Sequence, residues 1–203
     1  MDLIRMYIEN MLVYMLFAIP FYVIGRLIFI KLKQKQVKLM REIVMAGFTV
    51  YMIALASQTI IPQWDMGIWS DTGKFYFEVY GVNQSAGVNL VPLHTIYDYA
   101  FQTNGQVSDW GMVSLLNLAG NVFLFSPIGF FLPVIWRRLQ SFQKIFWIGL
   151  GTTCLIEFVQ YFIGRSSDVD DIILNTIGVL IGYWAFILFE KIGFEAFVRK
   201  VSA

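Results

Sequence analysis

The sequence predicts an all-α integral membrane protein: five transmembrane helices, with a small outer cap (a short hairpin plus an amphipathic helix) between helices 2 and 3. Composition is the first reason. Hydrophobic residues make up 58% of the chain, charged residues 14%, and mean hydropathy is +0.64, where a soluble domain carries roughly 25% charged residues. The second is segment length. A spanning helix needs about 20 mostly apolar residues, and five stretches qualify, at about 9–30, 43–61, 112–135, 145–163 and 172–189. The third is the distribution of basic residues. Lys31, Lys33, Lys35, Lys38, Arg41, Arg137, Arg138, Lys144, Lys191, Arg199 and Lys200 fall on one side of these spans, and only Arg5, Lys74 and Arg165 on the other, eleven against three. By the positive-inside rule the N-terminus faces out, the C-terminus faces the cytoplasm, and residues 62–111 and 164–171 face out. Residues 1–203 are read as one multi-pass membrane domain, without internal repeats. A net charge of +1 gives no reason to expect nucleic acid, and no feature sets an oligomeric state.

The first span has an acid-containing start, a long apolar run and no small-x-small cleavage site, so it reads as a retained anchor. Pro20 is expected to kink it, and Arg26 to snorkel to the cytoplasmic interface. The loop of about 50 residues after the second span is too long for a plain connector. Within it, KFYFEVY (74–80) alternates like a strand, with Phe75, Phe77 and Val79 on one face. GVNQSAG (81–87) reads as a turn, and VNLVPL (88–93) as a short strand pairing back on 74–80. His94 to Gln102 reads as an amphipathic helix ended by Asn104-Gly105. Trp64, Trp69, Trp110 and several tyrosines suit a layer at the membrane interface.

In the third span Asn117 and Asn121 are spaced i, i+4 with Gly120 beside them, and Ser126-Pro127 is expected to kink the helix. The fourth span carries the lone Cys154, read as a small buried hydrophobe that forms no intrachain disulfide. Glu157 lies some six residues from the outer end of that span, roughly 9 Å at ~1.5 Å per residue, and Gln160 follows at i+3 on the same face. Beyond Gly164 come Arg165, Asp168 and Asp171. Asp168, Asp171 and Asn175 form one stripe at the start of the fifth span, where acidic side chains also suit the positive helix end. Asp170 points off that stripe and is left out. Asn175, Gly178 and Gly182 form a small-residue edge of the kind that packs helices closely.

These groups lie at similar depth, so the third, fourth and fifth spans are expected to wall a polar cleft opening toward the outer leaflet. The competing reading is a structural lock in which Glu157 pairs with Arg165. An intramembrane acid costs about 2.5–3.5 kcal/mol on insertion scales, which favours a functional cleft over incidental placement. His94 and Asp98, at i, i+4, could join Glu157, Asp168 and Asp171 around a divalent cation. One histidine with scattered carboxylates is no metal signature, so neither a metal nor a cofactor is expected. No serine-nucleophile motif, HExxH or phosphate-binding glycine loop occurs.

Three blocks resemble the VanZ-like family of small bacterial membrane proteins: NLVPLHTIYDY (89–99), NLAGNVFLFSPIGFFLP (117–133) and IEFVQYFIGRSSDVDDIILNTIGVLIGY (156–183). The last, with its E-x-x-Q, G-R, D-x-x-D and N-x-x-G elements, is the most specific. The family pattern usually has Phe where this chain has Leu93, and residues 1–88 match in hydropathy alone. The resemblance implies an accessory role in resistance to teicoplanin, an acylated glycopeptide, without enzymes that remodel the peptidoglycan stem. Two classes of function follow. In the preferred one the protein is a non-enzymatic binder of a lipid-bearing ligand, a lipoglycopeptide or a lipid-linked cell-wall precursor, at the outer leaflet among membrane lipids. Asn89, His94, Asn117, Asn121, Gln160, Arg165, Asp168, Asp171 and Asn175 are its candidate ligand-binding residues. In the alternative it is an intramembrane enzyme acting on a lipid-linked envelope substrate, with Glu157 as acid or base and Arg165 holding a phosphate.

Overall fold

Glycines decide where this chain's helices touch. The computed structural model describes residues 2–33, 38–61, 63–80, 87–104 and 109–202. They form helices α1 (Asp2–Lys33), α2 (Leu39–Thr59), α3 (His94–Phe101), α4 (Trp110–Ile135), α5 (Phe142–Phe162), α6 (Val169–Phe189) and α7 (Glu195–Ser202). Five segments are long and apolar enough to cross a membrane: Ile8–Leu32, Leu39–Thr59, Trp110–Ile135, Phe142–Phe162 and Val169–Ser202. All five expected spans are therefore present. The second, fourth and fifth begin three or four residues earlier than hydropathy suggests. Their first turns carry Arg41 and Glu42, Gln143 and Lys144, Asp170 and Asp171, which read as loop although their backbone is helical.

The seam between α4 and α6 is a backbone contact. A Cβ added at Gly129 would sit 1.8 Å from the Val179 carbonyl oxygen, one at Gly178 2.3 Å from that of Val122, and one at Gly182 1.7 Å from that of Ser126. Only glycine permits such an approach. α5 packs on α6 through Gly149, where a Cβ would meet a Val179 methyl at 2.9 Å. Around these seams Leu55, Phe125, Ile128, Val134, Ile145, Val179 and Phe186 are buried. At Ser126-Pro127 the helix is not broken: α4 runs on through Pro127 and Pro133, as α1 does through Pro20. Pro127 cannot donate to the Phe123 carbonyl, and the Ser126 hydroxyl donates to it instead at 3.0 Å.

Two further expectations are corrected at the opposite end of the bundle. Arg26 does not snorkel away; it grips Glu42 of α2 through Nε at 2.6 Å and Nη2 at 2.7 Å. A bidentate partner on the neighbouring helix outcompetes the interface for a guanidinium. The tail, read for its charge alone, turns at Gly193 (φ 107°) and forms α7. Val198 and Val201 of α7 are buried in the core, and Arg41 donates to the Val201 carbonyl at 3.1 Å.

The cap is built differently from the expected hairpin. Strand β1 (Gln63–Ile68) pairs antiparallel with β2 (Phe75–Tyr80), with Met66 opposite Phe77 and Ile68 opposite Phe75. The strand at 74–80 is thus present, but its partner precedes it. Val88–Asn89 (β3) lies parallel to Ser167–Asp168 (β4), tying the cap to the start of α6. The turn proposed at 81–87 lies outside the described residues except for Gly87, as does residue 105 of the expected Asn104-Gly105 stop; α3 ends at Phe101.

Candidate polar site at the cap end of the bundle

The site forms where α2 and α5 end and α6 begins. α5 closes in a Schellman turn: Gly164 takes φ 78°, its N–H reaches the Tyr161 carbonyl at 3.3 Å, and the Arg165 N–H reaches that of Gln160 at 2.9 Å. This turn aims two side chains at the open carbonyls of α2. Arg165 Nη1 donates to the Gln58 oxygen at 3.1 Å and the Thr59 oxygen at 3.0 Å, and Gln160 Nε2 to the Thr59 oxygen at 2.9 Å. A cation is well placed against the negative end of a helix. Glu157 and Arg165 form no ion pair. The structural lock in its expected form is therefore not what orders these helix ends.

Three carboxylates order the other side. Asp168 caps α6, accepting the Asp170 N–H at 2.8 Å, and also accepts from Asn89 Nδ2 at 3.0 Å and the Thr95 hydroxyl at 2.5 Å. Asp170, off the predicted stripe, is fully buried and binds the cap helix: its oxygens accept the Leu93 N–H at 2.6 Å and the Ile96 N–H at 3.1 Å. Leu93, at the cap position of α3 with φ 66°, has no side-chain oxygen to offer. Asp170 supplies that oxygen from 77 residues away, and the readable signal was an amphipathic helix starting without a cap residue. Asp171 accepts from Asn121 Nδ2 at 2.6 Å, joining α6 to α4.

Glu157 lies beneath this layer, 3% exposed, its Oε2 accepting the Asp168 N–H at 2.9 Å. Asn175 and Gln160 are also buried, and Asn175 Oδ1 and Gln160 Oε1 have no hydrogen-bond partner among the described residues. The Thr153 and Thr176 hydroxyls, not foreseen from the sequence, meet between α5 and α6 at 3.4 Å. Thr153 stands one turn before Glu157 on the same helix, a spacing that could have drawn notice. The result is rich in acceptors: carboxylates and amide oxygens outnumber the donors that face them, and two buried oxygens await a donor.

Two predicted residues fall outside it. Asn117 is exposed and donates to its own Val113 carbonyl at 2.8 Å. Four residues overshoot one helical turn by about 40°, which separates it from the inward-facing Asn121. His94 is exposed too, its Nδ1 3.5 Å from Asp98 on the same helix. Among the described residues no group of three or more His, Cys, Asp or Glu is placed to hold a metal ion. Cys154, read as a buried hydrophobe, is exposed on the outer face of α5, a position lipid covers in a spanning helix. A broad groove of about 620 Å³ lies at the α6–α7 turn, lined by Glu190, Lys191, Gly193, Glu195, Ala196 and Arg199. It contains none of the predicted site residues.

Spanning helices with a polar cluster at one end define a small multi-pass membrane protein. Residues 48–190 match the family model VanZ/LLP1, and the chain belongs to that family. The match begins at Phe48, inside α2, before the first of the resembling blocks, and its range takes in the end of the second span and the hairpin. The family ties the protein to resistance at the level of the family alone. Comparison with curated proteins gives no match, and neither does comparison with solved structures.

Proposed function

We propose that the protein is an accessory glycopeptide-resistance protein that binds a lipid-bearing ligand at the outer leaflet. The ligand is a lipoglycopeptide of the teicoplanin kind or a lipid-linked cell-wall precursor, held by its polar head in the cluster around Glu157. The observation that carries this reading is the pair of buried, unpartnered oxygens, Asn175 Oδ1 and Gln160 Oε1, one helical turn from Asp171 and Glu157 on their respective helices. Such a set favours a head rich in hydroxyl, amide or amino donors. Leu90, Val91, Leu93, Tyr97 and Phe101 expose apolar surface on and beside α3, and this suits acyl chains. Asp168 and Asp170 support the site by holding α3 and α6 in place.

This reading requires the cap end to face out. In a Cys154→Ser background, a cysteine at the exposed Ser166 should react with an impermeant maleimide on intact cells, and one at the exposed Arg138 should not. Reaction at 138 alone would invert the orientation. The ligand class is tested in an isogenic host. Protection should be greater against teicoplanin than against unacylated vancomycin, because an acyl chain concentrates its bearer in the leaflet. Equal protection against both would count against a site for lipid-bearing ligands.

A further inference from the structure

The β1–β2 hairpin has one apolar face and one polar face. Residues opposite each other in an antiparallel pair share a face, and faces alternate along each strand. The register therefore puts Met66, Ile68, Phe75, Phe77 and Val79 together, each between 46% and 70% exposed. The other face carries Gly67, Tyr76 and Glu78, with the Asp65 position opposite Glu78. The polar face is fixed in shape: the Tyr76 ring lies over Gly67, where a Cβ would come within 2.8 Å of it, and packs on Trp69 at 4.7 Å between ring centres. A lone two-stranded hairpin is marginal in water, and a contiguous apolar patch on it makes water a poor neighbour.

Its place in the chain says what covers that face. α2 ends at Thr59 and β1 starts at Gln63, so three residues separate a membrane-spanning helix from the first strand. That leaves the hairpin at the membrane boundary. We infer that the β1–β2 hairpin lies flat in the lipid interface, with Met66, Ile68, Phe75, Phe77 and Val79 against the acyl chains and Glu78 toward water. It is the sheet counterpart of an interfacial amphipathic helix. A membrane partner also explains why neighbouring strand positions differ so sharply: Phe77 and Glu78 are adjacent yet belong to different solvents. The inference rests on the spans and the strand register and is independent of which ligand the polar cluster takes.

The test uses the full chain in phosphatidylcholine–phosphatidylglycerol vesicles. Single cysteines at Phe77 and at Glu78, in the Cys154→Ser background, carry an environment-sensitive fluorophore. The label at 77 should lose most of its emission when the lipid carries brominated acyl chains and little to aqueous iodide, and the label at 78 should do the reverse. Met66→Cys, on the strand opposite Phe77, repeats the reading if Phe77→Cys does not fold. Equal iodide quenching at 77 and 78, with no response to brominated lipid, would overturn the inference. Protection of 77 from both quenchers, lost on dilution into excess empty lipid, would overturn it too, by assigning the face to a second copy of the chain.

Discussion

The most apolar stretches of α1 and of the span containing α6 are equally apolar, yet they are held in quite different ways. Only 6% of the most apolar stretch of α1 is buried within the protein, against 39% for the span containing α6. α6 meets α4 backbone to backbone at Gly178 and Gly182, and its first turn is tied down by Asp168, Asp170 and Asp171. α1 leans on α2 and is clasped there by Arg26 and Glu42; its Gly25 has open space where a Cβ would go. α1 also lies outside the matched residues 48–190. Apolarity takes both helices into the bilayer, where lipid is as good a neighbour as leucine. Small residues and paired polar groups decide which of them is packed.

Substitutions can break this contrast. The largest effect is expected at the seam. Gly182→Ala places a methyl group 1.7 Å from a backbone oxygen, which should cost ~3 kcal/mol or more and leave little folded protein after detergent extraction. Gly25→Ala should leave the thermal midpoint unchanged or slightly higher, and an equal loss at both sites would erase the distinction. Next comes the cap. Asp170→Ala removes the shared acceptor of the Leu93 and Ile96 N–H groups, at a cost of about 1–3 kcal/mol. Hydrogen exchange should speed up across residues 93–101 before it does in α4 or α5. A smaller loss, ~1 kcal/mol, is expected for Arg26→Gln, because that pair is partly solvated and α1 has little else to lose. The smallest effect is a coupling. Glu157 and Arg165 bind different partners, so the stability changes of Glu157→Gln and Arg165→Gln should add to within ~0.5 kcal/mol. Rescue of one by the other in thermal melts would reinstate an ion pair between them.

The spans were legible because a run of apolar residues of membrane length has few other uses. The small-residue edge at Gly178 and Gly182 was legible for a similar reason: glycine in a helix interior implies close approach. Partners within the cap were not. β2 alternates clearly, but alternation gives a face and not a neighbour, and β1 hides behind Asp65 and Gly67 in QWDMGI. A helical stripe describes one helix, so it misses Asp170, whose partners are backbone groups of another segment. Asn117 misleads for the opposite reason, since spacing shared with Asn121 does not say which side the neighbouring helix occupies. Glu157, Gln160 and Asn175 stood out because polar side chains in an apolar run are costly to bury. Their burial was readable, and the two unpartnered oxygens were visible only in the fold.

Glu157→Gln probes the proposed ligand site most directly. Glutamine keeps an oxygen for the Asp168 N–H, so the bond that joins α5 to α6 survives, while the charge offered to a ligand is removed. Thermal stability in detergent and protection against teicoplanin are measured on the same preparation and the same strain. The thermal midpoint should stay within a few degrees of the parent while protection falls to that of a strain lacking the protein. Full protection from a well-folded Glu157→Gln protein would contradict a ligand site built around this residue.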